Sequence, residues 1–308
     1  MVAKSECDFE ELVQSAYRHI VEEVGLDNVR PSFGLRFKDL QKAHDSIHEF
    51  MFLVSLLFPS QADRGVGWHK KSAFLTYHWE AFHHAHRSLI EALCAYYNAA
   101  FILLRSVLEL VIKGAFWECL SHKEFRENSR VLDTDPQGRK IKEWLAEIFE
   151  VAPDVEEVLE RISASIYDKV STIVEDPSFR PPVKVIVRQL DQWGIFNPLP
   201  DPVTSIYDEI YGTLSADVHV VPDRTDIGKR MVAAPDEILE QKLLQSMLGE
   251  YANYLHQVMD LAIVVELNIM RDLVDRYNES RSNLRGRLDA LEQLGLEHSL
   301  ARAKELVK

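Results

Sequence analysis

At 308 residues, 46% apolar and 27% charged, with only 12 Gly and 12 Pro, the chain has the make-up of a globular protein with long elements and a sizeable core, which excludes disordered and fibrous classes. Its 35 Lys and Arg stand against 49 Asp and Glu, a net charge of -14 that opposes general attraction to a nucleic-acid backbone while leaving room for a local basic groove. Three cysteines, Cys7, Cys94 and Cys119, are odd in number and far apart, without the close pairs of metal or disulfide frameworks, so a reducing, cytoplasmic compartment is expected.

Met1 to Glu10 carries acidic residues and no apolar stretch of signal-peptide length, so no secretion is expected. From Phe9 to Val24 apolar residues recur at three-to-four spacing and Gly25 marks a stop, which predicts a first amphipathic helix. After a break at Arg30-Pro31-Ser32-Phe33-Gly34, the pattern from Phe37 to Leu57 predicts a second helix ended by Pro59. Gln61 to Gly67 reads as a loop. From Trp68 the apolar pattern runs towards Leu120 without Pro or Gly before Gly114, which predicts two helices jointed near His86. The most apolar stretch, Ala92 to Trp117, is interrupted by Asn98, Arg105, Glu109 and Lys113, too costly for a membrane span, and is expected to be a buried helix.

Polar and turn residues from Ser121 to Arg139, including Asp133, Asp135, Pro136 and Gly138, predict a surface connection and a coarse division of the chain. Ile141 to Phe149 and Val155 to Val174 each predict a helix. Val183 to Leu190 fits a strand by its β-branched run, but Val183, Ile186, Val187 and Leu190 share one helical face, and helix is the preferred reading. After the proline-rich link Asn197 to Pro202, Val203 to Leu214 predicts a helix leading into Ser215-Ala216-Asp217-Val218-His219. Asp223 to Pro235 reads as a loop; Asp236 then caps a helix through Leu244, Leu248, Tyr251, Leu255, Val258, Leu261 and Val265 that could pass Leu273. Arg276 to Arg287 is strongly charged, with Leu284, Leu288, Leu291 and Leu294 as a thin apolar seam, which suits a protruding helix or self-association arm. The expected architecture is an all-α multi-helix bundle with a long C-terminal helix: a helical domain over 1–270, divisible near 121–139, and a charged helical extension over 271–308.

Three groups of residues are candidates for chemistry. Arg105 and Glu109 lie four apart on a helix that is otherwise apolar; they are either an ion pair holding a helix crossing or, with Asn98 and Lys113 at helical spacing, the lining of a cleft for an anion or polar substrate. His219, with Ser215, Asp217, Asp223 and Arg224 nearby, fits a general acid or base as well as a capping histidine. In the histidine-rich stretch His78, His83, His84 and His86, Glu80 and His83 have the Glu-x-x-His spacing of di-iron bundles, but no second such pair occurs on another core helix, so no metal or cofactor is expected and a partly exposed histidine-rich surface is the preferred reading. Tyr96, Tyr97, Tyr207 and Tyr211 lack interleaved basic residues and are expected in the core. Walker, Rossmann and Gly-x-Ser-x-Gly motifs do not occur, which disfavours nucleotide hydrolysis and α/β-hydrolase chemistry.

The segment Ala95-Tyr96-Tyr97-Asn98-Ala99-Ala100-Phe101-Ile102-Leu103-Leu104-Arg105-Ser106-Val107-Leu108-Glu109 resembles a helix of prokaryotic HEPN-like families, and Tyr207 to His219, ending in Leu214-Ser215-Ala216-Asp217-Val218-His219, is similar to their Tyr-x-x-Leu-Ser-x-x-x-His element. The resemblance implies an all-α bundle, often a homodimer, in a superfamily rich in RNA-cutting toxins and prokaryotic defence proteins. Its ribonucleases carry an Arg shortly before the motif histidine, and none precedes His219 in that way. A nuclease built on this chain would therefore take its Arg from elsewhere, Arg105 or Arg224, with His219 as acid or base, Arg105 stabilising phosphate charge and Glu109 orienting Arg105. A binding or regulatory module with a polar pocket around Arg105, Glu109 and His219 is the leading expectation; a ribonuclease and a helical scaffold are the alternatives.

Overall fold

The computed structural model describes residues 14, 29–58, 72–150, 181–218 and 241–308. Among the described residues every element is helical and no strand occurs. In chain order these are α1 (Val29–Leu35), α2 (Phe37–Leu57), α3 (Ala73–Leu93), α4 (Tyr97–Ser121), α5 (Lys123–Glu127), α6 (Arg130–Thr134), α7 (Pro136–Glu150), α8 (Val183–Gln192), a π-helical stretch Val203–Tyr211, α9 (Gly212–Val218), α10 (Gln241–Ile269), α11 (Arg271–Arg276), α12 (Asn278–Leu294) and α13 (Glu297–Leu306). The predicted helices Phe9 to Val24 and Val155 to Val174, and the predicted loops Gln61 to Gly67 and Asp223 to Pro235, lie outside the described residues.

The centre is a hairpin of α3 and α4 on which α10 and α2 pack. Leu40, Ile47, Phe50, Phe74, Leu104, Leu108, Phe116, Tyr251, Leu255 and Met259 all fall in one fully buried cluster. Burying each such side chain contributes roughly 1.5–3 kcal/mol. Helix α3 starts where Ser72 accepts a hydrogen bond from the Leu75 amide, and Ser72 in turn donates to Glu118 of α4, whose carboxylate also accepts from the Phe74 amide. Of the orphan amides at this helix start, that of Leu75 is thereby satisfied by its own cap and that of Phe74 from the facing helix. Gly114 does not end α4: a Cβ there would lie 2.7 Å from Tyr77 Cβ, so the glycine lets the two helices approach.

Several boundaries differ from the sequence reading. The expected joint near His86 lies at Cys94 to Tyr96, because Ala95 adopts φ 67° and the Ala95 and Tyr96 amides bond back to Ala92 and Glu91. That is a Schellman-type helix end without the glycine that usually marks it. The segment Arg30 to Gly34 is not a break but part of α1; Pro31 sits within its first turn, where it costs no hydrogen bond. The expected surface connection over Ser121 to Arg139 contains two short helices and the start of a third. Leu132 and Ser129 are buried, and Asp135 accepts from the Gln137 and Gly138 amides as the cap of α7, so Asp135-Pro136 is a helix start rather than a turn. The ambiguous stretch from Val183 is helical, with Ile186, Val187 and Leu190 facing the core as expected.

Instead of a protruding arm, the charged C-terminal segment is three helices folded back on the bundle, α12 against α2 and α13 against α10 and α12. The long helix before it ends at Ile269 and does not pass Leu273. Leu284 and Leu291 of the thin seam are fully buried. Ser280 and Asn283 donate to the Leu57 and Leu56 carbonyls, satisfying the open C-terminal end of α2. Gly295, at φ 64°, then reverses the chain into α13, whose first amides bond to Asp260 of α10.

Candidate ligand-binding site

Helix α4 carries Arg105, Glu109 and Lys113 on successive turns, facing the π-helical stretch and α9. Arg105 ion-pairs with Glu109 at 3.0 Å, and Lys113 closes the other carboxylate oxygen at 2.7 Å. Tyr211 completes the group from the second segment: its hydroxyl accepts from Arg105 Nη2 at 2.6 Å and donates to Glu109 Oε1 at 3.1 Å. The Arg105 guanidinium also lies 4.7 Å from the Tyr211 ring centre, Tyr207 stacks on Tyr211 at 5.4 Å, and Lys184 lies over Tyr207 at 4.9 Å. A π-helical turn places Tyr207 and Tyr211 in this register, the kind of local irregularity that often accompanies functional sites.

The electrostatics follow from the partners. Burial pushes the Glu109 carboxyl up, but the hydrogen bond and charge of Lys113, the charge of Arg105 and the Tyr211 hydroxyl outweigh it and hold its pKa below the usual carboxylate range. Burial dominates at Tyr211 and raises its phenol above the ordinary value. Glu109 is therefore an anion and Tyr211 a neutral phenol near neutral pH, and neither is poised to exchange protons there. Arg105 Nε is buried without a hydrogen-bond partner among the described residues.

Of the other sequence candidates, Ser215 lies one turn beyond Tyr211 on α9 and donates to the Tyr211 carbonyl at 2.5 Å. Asn98 is exposed in the first turn of α4, seven residues and roughly 10 Å along the axis from Arg105, and so stands apart from the cluster. Asp217 lies on α9. His219 and Arg224 lie outside the described residues, so the expected meeting of His219 with Arg105 and Glu109 is not part of the described geometry. Tyr211, expected in the core, is instead the residue that joins the two segments, and Tyr96 is exposed rather than buried. A separate cavity of about 830 Å3, lined among others by Glu118, His122, Trp193, Asn268 and Arg271, contains none of these candidates.

Compared with known proteins, the chain matches no family model, no curated protein and no solved structure. No described helix is long and apolar enough to cross a membrane.

The histidine stretch divides by helical face. His78 is buried against Phe50, donating from Nε2 to the Phe50 carbonyl, while Glu80 and His83, the pair with di-iron spacing, are both exposed. His86 turns towards α2, where it meets His44 and His48. Neither of those two was singled out from the sequence, although His44-x-x-x-His48 is a four-residue spacing that aligns two imidazoles on one helical face.

Proposed function

We propose that the chain is a cytoplasmic, HEPN-like helical module that binds or regulates, acting as a homo-oligomer, with the Arg105, Glu109 and Lys113 face as its ligand site and RNA as the ligand. The observation that carries the reading is the Tyr211 hydroxyl held between Arg105 and Glu109, which ties together the two segments on which the family resemblance rests. Arg105 and Lys113 against Glu109 leave one net positive charge on a strongly acidic molecule, and Lys184 with the Tyr207 ring extends that face. Such a patch suits a phosphate beside a stacked base. Cys94 and Cys119, both free thiols, agree with a reducing compartment. Binding is favoured over cleavage because the acid and phenol of the site are locked in their ionised and neutral forms.

The test is fluorescence anisotropy with a labelled single-stranded RNA at low and moderate salt, alongside a gel for cleavage. The expected dissociation constant falls in the range of about 1–100 µM and weakens with salt. Binding is lost in an Arg105→Ala, Lys113→Ala double variant, and the RNA stays intact. Equal binding by wild type and the double variant, or none by either, removes the reading. Cleavage that disappears in His219→Ala replaces it with the ribonuclease.

A further inference from the structure

We propose that His44, His48 and His86 form a site for one divalent transition-metal ion of the zinc class, bound through their Nε2 atoms. One ligand nitrogen from each histidine lies within 4.8 Å of the other two. His48 Nε2 is 3.1 Å from His44 Nε2 and 3.4 Å from His86 Nε2. A tetrahedral ion with metal–nitrogen bonds of about 2.0–2.1 Å separates its ligand nitrogens by roughly 3.3 Å, so both pairs already stand at the edge length of such a polyhedron.

The protons of the three rings argue the same way. His86 Nδ1 lies 3.2 Å from the Phe82 carbonyl, which can only accept, so Nδ1 carries the proton and the neutral ring presents a lone pair at Nε2. His44 Nδ1 lies 3.3 Å from the Asp45 carboxylate, with the same consequence. His48 Nε2 therefore sits between two lone pairs and, with one proton at most, can satisfy only one of them. A cation in the middle satisfies all three, and an outer acceptor on the far nitrogen of a ligating histidine is the usual supporting arrangement of metal sites.

The surroundings fit a metal ligand set better than a solvated face. Phe82 packs edge-on against His86 and His48, and Phe52 lies 6.1 Å from His48, giving the cluster an apolar rim. Burial lowers the His48 and His86 pKa values, and the neighbouring imidazoles add to it. Three protein ligands leave at least one position for water or a small ligand, as in open rather than closed zinc sites. His48 also lines a cleft of about 550 Å3 between α2 and α12, bounded by Asp45, Glu49 and Arg287. This site is independent of the proposed ligand face on α4 and shares no residue with it.

The experiment is titration of the full-length, tag-free protein with zinc by calorimetry, and with cobalt by visible absorption, at pH 7.5. One equivalent is expected to bind. Alanine at His44, His48 or His86 is expected to weaken binding by at least about 100-fold and Asp45→Asn by about tenfold, as removal of a ligand and of an outer acceptor respectively. His83→Ala, which removes an exposed histidine of the same helix, should bind like wild type. Circular dichroism of the metal-free variants should superimpose on that of wild type, since these rings are half-exposed. Absence of stoichiometric binding to wild type, equal binding by a variant lacking all three histidines, or a loss in His83→Ala as large as in His86→Ala overturns the proposal.

Discussion

Replacing Glu266 by Gln is expected to make the protein progressively more stable than wild type as the pH rises. Glu266 lies on α10, fully buried, and neither carboxyl oxygen has a hydrogen-bond partner among the described residues. Burial pushes its pKa well above the ordinary carboxylate value and the Glu49 charge adds to the rise; Glu49 itself is held by Arg287, and His78 Nε2 stands 3.6 Å away but donates to Phe50. A raised folded-state pKa contributes stability that is fully present below the unfolded carboxylate pKa and is lost as the pH rises towards the folded one. The loss runs at about 1.4 kcal/mol per pH unit while the folded acid stays protonated, so two units within that window cost roughly 3 kcal/mol. Gln titrates nowhere and escapes this slope. His78 acts oppositely: burial depresses its pKa to about 4, so its contribution is present above pH 6.5 and lost as the pH falls from there towards 4. Wild type and Glu266→Gln both retain His78, and the difference between their denaturant-unfolding free energies isolates Glu266. A constant offset from the new amide is of no consequence, because the slope is the readout. Parallel stability curves between pH 5 and pH 8 would refute the reasoning.

Two further outcomes concern single contacts. Arg287→Ala strands the Glu49 carboxylate, which is 2% exposed and held by two Arg287 nitrogens, and should cost about 3–5 kcal/mol by urea unfolding. Adding Glu49→Gln should restore much of that loss; no restoration would mean that the arginine acts through its packing alone. Ala95→Gly should raise stability by about 1 kcal/mol by relieving the left-handed conformation at the end of α3, measured as an increased midpoint of thermal unfolding.

Helical periodicity made most of the bundle legible. The Phe37 to Leu57 helix appears with the predicted bounds, and the Val183 face turns inward because three-to-four spacing outweighs a β-branched run. Boundaries differ where a residue's usual signal misleads: Ala95 ends a helix in place of a glycine, Pro31 lies inside a first turn, and Gly114, which looks like a breaker, is a packing contact. The C-terminal layer is hard to read from sequence because a thin leucine seam suits a protruding helix as well as a packed one. What holds it down is Ser280, Asn283 and Arg287, polar side chains whose partners are more than 200 residues away in sequence. The candidate site was half legible. Arg105, Glu109 and Lys113 stand out as charges in an apolar helix, whereas Tyr211 is marked only as the first residue of the Tyr-x-x-Leu-Ser-x-x-x-His element, with nothing in its neighbours to show that it meets those charges. His44 and His48 show their pairing in their spacing, but only the α2–α3 crossing supplies His86.

That crossing also explains how the three histidines converge. Helix α2 has three faces: Leu40, Ile47, Phe50, Val54 and Leu57 enter the core, Glu49 meets Arg287 of α12, and His44 and His48 meet α3. Apolar packing is non-directional and would tolerate a small rotation of the helix. The Glu49–Arg287 clamp and the two hydrogen bonds onto the Leu56 and Leu57 carbonyls do not, since each would leave a buried polar group unpaired. The C-terminal layer thereby fixes the rotation of α2 and, with it, the direction in which His44 and His48 point. Preorganisation of this kind separates metal affinity from folding, unlike small zinc domains that fold only on binding. The metal-free protein should therefore keep its helical content, and a loss of metal in Arg287→Ala would trace to the register of α2 rather than to the ligands themselves.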